Sequence, residues 1–297
     1  MDLSQLPKHS HSLLTVESTV PLSTQDEECC VGIDEAGRGP VLGPMVYGIA
    51  YCPISKIPDI EALGVADSKQ LKESDRDEIL EKIHENSEFV GYCVTVLSPN
   101  YLSTSMLGRE NYNLNAISHD TAISLLRNII SKGVKVKDVY VDTVGPADKY
   151  QAKLSALFPT LNITVASKAD DKYPICGASS ICAKVCRDRC MNEWQFPEKG
   201  FDISESGCGY PSDPKTKKWL IDNVDEVFGF PQFVRFSWST AEKIVDKHCA
   251  RVLWDDEEEE EENIPKLNSF FKRVKKETEI PRHRFYHEQG LTSLTGI

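Results

Sequence analysis

No run of apolar residues in this sequence is long enough to cross a membrane. The longest apolar stretch, around residues 41–52, is interrupted by Gly43, Pro44 and Gly48, whereas a transmembrane helix needs about 20 apolar residues. The opening segment, MDLSQLPKHSHS, also lacks the charged-then-apolar layout of a secretory signal. We therefore expect an intracellular protein with no membrane partner.

The sequence also lacks the common nucleotide-binding and zinc-binding motifs. It contains neither a Gly-Lys-Ser/Thr phosphate loop nor a GxGxxG dinucleotide turn, and its ten cysteines include no CxxC knuckle. Cys182, Cys186 and Cys190 would follow one stripe of a helix, where a metal site is conceivable. Because intracellular thiols stay reduced and free cysteines are often buried, core side chains are the favoured interpretation.

Basic residues are fewer than acidic ones, which at first argues against nucleic acid as a partner. The net charge is −12, but residues 255–262 alone carry eight negative charges, and the rest of the chain has 38 acidic and 34 basic residues. A local basic groove can exist on such a mildly acidic body. Net charge therefore neither supports nor excludes nucleic-acid binding.

Short apolar runs alternate with amphipathic segments from Cys29 onward. This alternation predicts an α/β fold with a central mixed sheet flanked by helices. The predicted strands are 29–33, 45–51, 89–96, 136–141 and 163–166, and the predicted helices are 71–83, 115–130 and 174–194.

Composition divides the chain into four parts. Residues 1–26, rich in Ser, Thr and Pro, predict a mobile leader, and residues 27–206 form the sheet domain. Residues 207–253 predict a helical appendage, in which Asp213 caps a helix that has Pro214 in its first turn. Residues 254–297 predict an acidic linker and a flexible tail that binds a partner.

Four carboxylates stand at the ends of predicted strands or just beyond them. They are Asp34, Glu35, Asp142 and Asp170. A single acidic residue in such a place is usually a turn or a cap, but active sites of open α/β sheets gather beyond strand ends. Hard oxygen ligands without His or Cys suit Mg²⁺ or Mn²⁺, so the pattern predicts a metal site.

A glycine-rich segment follows the first carboxylate pair. Gly37 and Gly39 flank Arg38, and glycine permits close approach of bare backbone to a substrate. A tight connection between two strands explains the same residues, and both uses can coexist.

These motifs together resemble the signature of the type 2 ribonuclease H family. The segments that match occur in order over roughly residues 29–220, and 228–238 further resembles the eukaryotic catalytic subunit. They are DEAGRGPVLGP at 34–44, VADSK at 65–69, VYVD at 139–142, AD at 169–170 with YP at 173–174, ASSICAKV at 178–185 with RD at 187–188, and GYPSD at 209–213.

The resemblance implies a role for particular residues. Asp34, Glu35, Asp142 and Asp170 match the metal-binding catalytic carboxylates, with Asp170 rather than Asp171 selected by its spacing to Tyr-Pro. The substrate-binding matches are Gly37, Arg38 and Gly39 at the ribose 2′-hydroxyl, Tyr210 on the sugar at the RNA–DNA junction, and Lys69 in the substrate groove. Tyr210 could instead anchor a turn. Lys184 and Arg187 either line the groove or pair with Asp188.

The resemblance also implies a ribonuclease H-like fold and an activity. Such an enzyme hydrolyses the RNA strand of RNA–DNA hybrids and cuts on the 5′ side of single ribonucleotides in duplex DNA. Catalysis would use two Mg²⁺ or Mn²⁺ ions, leave a 3′-hydroxyl and a 5′-phosphate, and distinguish RNA by its 2′-hydroxyl. The eukaryotic branch implies a nuclear heterotrimer with two non-catalytic subunits, acting in ribonucleotide removal, DNA replication and repair.

The tail contains a short aromatic motif whose partner stays open. Leu267, Phe270 and Phe271 resemble the end of a sliding-clamp-binding motif, although Ile264 replaces the usual initial Gln. Docking on another subunit is the alternative, and residues 284–294 could do the same.

Two other functions are weighed against a ribonuclease H. A junction resolvase or transposase would also use strand-end carboxylates, but it would not need Gly-Arg-Gly beside the first pair. A non-catalytic nucleic-acid-binding subunit would be expected to lack a carboxylate, and all four are present.

Overall fold

A computed structural model describes residues 1–65, 71–109 and 112–250. Within these ranges one six-stranded mixed sheet forms the centre, in the order β1-β4-β3-β2-β5-β6. The strands are β1 (Leu13–Glu17), β2 (Cys29–Ala36), β3 (Met45–Pro53), β4 (Gly91–Leu97), β5 (Val136–Asp142) and β6 (Asn162–Ala166).

Helices cover the sheet and form the C-terminal part of the described chain. Short 3₁₀ turns span Leu6–His9 and Ile54–Lys56. The α-helices are α1 (Ser23–Asp26), α2 (Ile57–Ala62), α3 (Glu73–Glu85), α4 (Pro99–Leu107), α5 (Leu114–Ser131), α6 (Ala147–Leu157), α7 (Ala169–Lys172), α8 (Pro174–Asn192), α9 (Pro214–Asp222) and α10 (Ser239–His248).

Strand direction changes at β2, in the middle of the sheet. Strands β1, β4, β3 and β2 pair antiparallel, whereas β2–β5 and β5–β6 pair parallel. Parallel strands end at the same edge, so the residues that close β2 and β5 are brought together there. The predicted mixed sheet flanked by helices is therefore confirmed.

Each face of the sheet carries its own apolar core. One core includes Leu80 of α3, Val94 of β4 and Ile181 of α8. The other includes Ile49 of β3 and Leu126 of α5. Strand β3 is buried along its whole length, as expected for a strand covered on both faces.

Glycines in the strands let helix α8 approach the sheet. A Cβ on Gly32 would lie 2.3 Å from the carbonyl oxygen of Ile175, and one on Gly48 would lie 2.6 Å from that of Ser179. Such distances exclude any side chain at these positions. The N-terminal half of α8 is thereby held directly against β2 and β3.

The C-terminal helices share a third core with the loop between β2 and β3. Val41 and Leu42 of that loop pack with Trp219, Phe233 and Val234, and Trp194, just after α8, belongs to the same cluster. Asp213 caps α9 by accepting a hydrogen bond from the backbone N–H of Lys215, as predicted. The appendage thus holds the loop from outside the sheet.

The prediction of a mobile leader over residues 1–26 is wrong. Leu13–Glu17 forms the edge strand β1, paired antiparallel with β4, and Leu3, Leu6 and Leu14 are buried in the core. The polar composition hid these few apolar side chains, which cover an edge that β4 would otherwise expose.

Other differences are smaller. Strand β2 continues to Ala36, so Asp34 and Glu35 lie within it rather than at its end. Helices α4 and α6 were not predicted from the sequence. Both are short helices with a proline beside their first turn, and such segments are easily taken for loops.

The cysteines behave as the favoured interpretation requires. All ten are free thiols, and Cys182, Cys186 and Cys190 are completely buried on α8. In the part of the chain that the structure describes, no helix is both long and apolar enough to span a bilayer. Lys69 and the predicted flexible tail, with Leu267, Phe270 and Phe271, lie outside the described residues.

The contact between α8 and the sheet gives a stability prediction. Gly32→Ala should lower the free energy of unfolding by about 3 kcal/mol, because the new methyl group overlaps backbone that cannot move alone. Gly39→Ala is the control, since its Cβ would meet only the Tyr210 ring, at 3.1 Å. Urea unfolding followed by circular dichroism measures both, and equal stability of the two variants would contradict the close packing.

Candidate active site

Three carboxylates meet at the edge of the sheet where β2 and β5 end. Ile33 pairs with Val141 in the parallel ladder, so Asp34 and Asp142 follow side by side. Oxygens of Asp34, Glu35 and Asp142 all lie within 4.8 Å of one another. The structure therefore brings together three of the four carboxylates that the sequence singled out.

Burial makes this cluster unfavourable for negative charge. It raises the pKa of Asp34 to about 7, and the charges of Asp142 and Asp170 act in the same direction, although a hydrogen bond from Ser180 opposes them. Burial and the charge of Asp34 raise the pKa of Glu35 to about 8, with Arg38 opposing. Nearby like charges and loss of hydration both disfavour ionisation.

The cluster has the properties of a site for a divalent cation. Glu35 Oε2 is buried and has no hydrogen-bond partner among the described residues. Hard carboxylate oxygens are the ligands that Mg²⁺ and Mn²⁺ prefer, and a cation would offset the repulsion that raises these pKa values. The residues present thus fit a metal ion.

The turn after β6 places the remaining acidic residues. Lys168 adopts a left-handed conformation with φ of 56°, which is unfavourable for a side chain with a Cβ. It turns the chain so that the backbone N–H of Ala169 donates to Asp142 Oδ1 at 2.8 Å. This bond leaves the position of the Asp142 carboxylate fixed beside β2.

Asp170 and Asp171 are separated by burial. Asp170 is 2% exposed and close enough to raise the pKa of Asp34 and Glu35, whereas Asp171 is exposed. Asp170 lies beside the three-carboxylate cluster rather than within it. Its location agrees with the choice made from the Tyr-Pro spacing.

The loop from Gly37 to Gly43 adjoins the carboxylates. Gly37 has φ of 73°, and a Cβ there would overlap the side chain of Arg187, so only glycine fits. The Arg38 side chain leaves the loop to bond Ser118 and Asn115 of α5. The backbone, rather than the guanidinium, is the part of this loop that faces a substrate.

Arg187 and its neighbour do not form a close ion pair. Arg187 Nη1 is 3.9 Å from Asp188 Oδ1, while Asp188 bonds Arg76 Nη2 at 2.7 Å. Burial lowers the pKa of Arg187. Arg187 instead packs behind Gly37, on the inner side of the loop.

Tyr210 lies on the outer side of the same loop. Its ring is 47% exposed, and its Cε1 would be 3.1 Å from a Cβ on Gly39. The turn that carries it is held by other groups, since Asp213 Oδ2 accepts from the N–H of Cys208 and the Gly209 carbonyl accepts from Val41. The tyrosine ring is therefore available for a ligand.

Several residues at the site were not assigned a role from the sequence. Ser180 bonds Asp34, Arg235 is completely buried under the loop, and Trp238 Nε1 donates to the carbonyl of Gly39 at 3.0 Å. A depression of about 460 Å³ adjoins the loop, lined in part by Arg38, Gly39 and Trp238. An isolated arginine in an aromatic segment gives no signal of burial, so Arg235 required the tertiary structure.

Comparison with known proteins is consistent with this geometry. Residues 31–241 match the family model of ribonuclease HII. One subunit of human ribonuclease H2 is 50% identical, over 100% of both chains. The crystal structure of ribonuclease H2 from Pyrococcus horikoshii OT3 superposes with a TM-score of 0.63 at 32% identity, covering 74% of this chain and 98% of that one. An RNase HII from Archaeoglobus fulgidus, solved as a complex with PCNA, gives 0.60 at 30% identity, covering 76% and 99%.

The raised pKa of Asp34 predicts how stability depends on pH. Between the ordinary value of 3.8 and about 7, the folded metal-free protein keeps a proton that the unfolded chain releases. Its stability therefore falls as the pH rises over this interval, and the loss is complete once the pH has passed the folded pKa. Asp34→Asn cannot ionise, so its Tm in chelator should exceed that of the parent by more at pH 8 than at pH 5.

Asp171→Asn is the matched control, because Asp171 is the exposed neighbour of Asp170. Calorimetry at the two pH values should show no such pH-dependent gain for it. A constant difference between Asp34→Asn and the parent would show that Asp34 ionises normally in the fold.

Proposed function

The chain belongs to the ribonuclease HII family and is a ribonuclease H, and we propose that it acts on two substrates. These are the RNA strand of RNA–DNA hybrids and the bond on the 5′ side of a single ribonucleotide embedded in duplex DNA. The observation that carries the proposal is the buried carboxylate cluster next to an exposed backbone loop on which Tyr210 packs. Chemistry on a phosphodiester and recognition of a sugar thus lie side by side.

The carboxylates hold the metal in this proposal. Asp34, Glu35, Asp142 and Asp170 would bind two Mg²⁺ or Mn²⁺ ions, and Glu35 contributes the buried oxygen without a partner among the described residues. Two such ions supply activation of a water and stabilisation of the leaving oxygen, giving a 3′-hydroxyl and a 5′-phosphate. Because protons compete for Asp34 and Glu35, metal affinity and activity should rise with pH through about 7 and 8.

The loop and Tyr210 recognise the sugar. The backbone of Gly37, Arg38 and Gly39 and the Tyr210 hydroxyl would share one 2′-hydroxyl, while the tyrosine ring packs on the neighbouring deoxyribose. Lys69 would contribute to the substrate groove. A resolvase or transposase has no need for a site of this kind beside its metal ligands.

Partners follow from the comparisons and the sequence. We place the chain as the catalytic subunit of a nuclear heterotrimer with two non-catalytic subunits, because its full-length relatives are named as subunits of a larger enzyme. Its role would be ribonucleotide removal during DNA replication and repair. Leu267, Phe270 and Phe271 would bind a sliding clamp or another subunit, and the archaeal complex with PCNA supports the first of these.

Cleavage of a duplex with a single ribonucleotide tests the function. In Mg²⁺ the protein, with partner subunits where it needs them, should cut on the 5′ side of that ribonucleotide and leave the all-DNA duplex intact. Chelator, Asp34→Asn and Asp142→Asn should each abolish turnover, because they remove the metal or a ligand charge. Near-normal Mg²⁺-dependent cleavage by Asp34→Asn would reject the metal site.

Tyr210 variants test how the ribonucleotide is recognised. A site that bonds a hydroxyl rejects the analogue without it by roughly 10⁴-fold. Tyr210→Phe removes one of the bonding groups and should slow cleavage moderately. Tyr210→Ala also loses the packing on deoxyribose, so it should slow cleavage of the single-ribonucleotide duplex more than that of a long RNA–DNA hybrid. Single-turnover rates decide, and equal losses on both substrates would leave Tyr210 with only a structural role.

A further inference from the structure

One buried guanidinium collects the carbonyl groups of the loop between β2 and β3. Arg235 donates from Nη2 to the carbonyl of Gly37 at 2.6 Å, from Nη1 to that of Arg38 at 3.2 Å and from Nε to that of Gly43 at 2.8 Å. Its side chain is among the largest that are fully buried. A single planar group therefore fixes both ends of the loop.

The surrounding segment strengthens this contact. The backbone N–H of Arg235 donates to the carbonyl of Val41 at 2.9 Å, and Trp238 Nε1 donates to that of Gly39 at 3.0 Å. The Trp238 ring also lies 4.8 Å from the Arg235 guanidinium carbon, within the range of a cation–π contact. Residues 235–238 thus bind carbonyl groups along most of the loop.

Peptide planarity turns these carbonyl contacts into a statement about N–H groups. In a trans peptide the carbonyl of one residue and the N–H of the next point in opposite directions. Because the carbonyls of Gly37 and Arg38 point toward Arg235, the N–H groups of Arg38 and Gly39 point away from it. Gly39 lies at the exposed surface, next to the ring of Tyr210.

Structural stability alone is a poor explanation for this arginine. Among the described residues no carboxylate pairs with Arg235, and the charge of Arg187 opposes its own. A buried charge without an ionic partner is costly, and an apolar side chain would fill the same space. The five donors of a guanidinium in fixed geometry do what an apolar side chain or a lysine cannot, which is to hold several carbonyls at once.

We propose that Arg235 and Trp238 are positioning residues for ribose recognition. By holding the loop carbonyls, they direct the N–H groups of Arg38 and Gly39 at the 2′-oxygen of the ribonucleotide. They touch neither the substrate nor the metal ligands, and they act through the loop. The inference rests on the proposed function, since it specifies how that function distinguishes a ribonucleotide from a deoxyribonucleotide.

Binding measurements separate positioning from stability. In an Asp34→Asn background, which prevents turnover, fluorescence anisotropy compares a duplex containing one ribonucleotide with the all-DNA duplex. Arg235→Lys keeps the charge but loses the multiple donors. It should weaken binding of the ribonucleotide duplex about tenfold, which corresponds to about 1.4 kcal/mol, and leave binding of the all-DNA duplex and the Tm nearly unchanged.

Arg189→Lys is the matched control. Arg189 is an arginine of α8 that bonds Asp77 at 2.8 Å, so the same substitution there should not alter the preference between the duplexes. Trp238→Phe removes the bond to Gly39 and should reduce the preference by a smaller factor. It decides the matter if Arg235→Lys does not fold.

The outcomes distinguish this inference from the proposed function. An unchanged preference in Arg235→Lys, or in Trp238→Phe where it alone folds, overturns the positioning role. Equal weakening on both duplexes overturns it too, because general loss of structure affects them alike. If the parent background shows no preference and the unsubstituted protein does not cut at the ribonucleotide, the proposed function itself fails.

Discussion

Strands β2 and β5 run parallel and hydrogen-bond to each other, so Asp34 and Asp142 leave the sheet side by side. The rest of the site depends on this pairing. Glu35 follows Asp34 in β2, and the turn after β6 fixes Asp142 through the N–H of Ala169. Helix α8 can cover these strands only because Gly32 and Gly48 have no side chain. A cluster of buried negative charge is the result.

Such a cluster lowers stability in the absence of a cation. Burial raises the pKa of Asp34 and Glu35 to about 7 and 8, so near neutral pH protons and metal ions compete for the same oxygens. Functional sites commonly retain arrangements that a folded chain would otherwise avoid. The left-handed Lys168 is a second unfavourable feature at the same place, and it is maintained because it positions the ligands.

The appendage has a more direct role than its position after the sheet domain suggests. Its core includes Val41 and Leu42 of the loop, Gly209 bonds the backbone of Val41, and Arg235 bonds the carbonyls at both ends of the loop. The loop is therefore held between the sheet and the appendage. Recognition of the sugar and the metal site are joined through these few residues.

Much of the molecule could be predicted from sequence patterns. Alternating apolar runs predicted five of the strands and the long helices, because burial on one face imposes a period that is visible locally. The edge strand β1 was missed, since its residues look like a polar leader and form a strand only by pairing with β4. Helix α6 was missed for a similar reason, as its buried side chains are only Tyr150 and Leu154.

The sequence by itself determined which residues carry the chemistry, because Asp34, Glu35, Asp142, Asp170 and the Gly-Arg-Gly segment occur in an order and spacing that few other proteins share. Only the tertiary structure decided how they act together. Residues far apart in sequence, such as Gly37 and Arg235, meet through packing between separate elements. Burial then sets the pKa values of Asp34 and Glu35 and the direction of the loop N–H groups, and neither property is encoded in any local pattern.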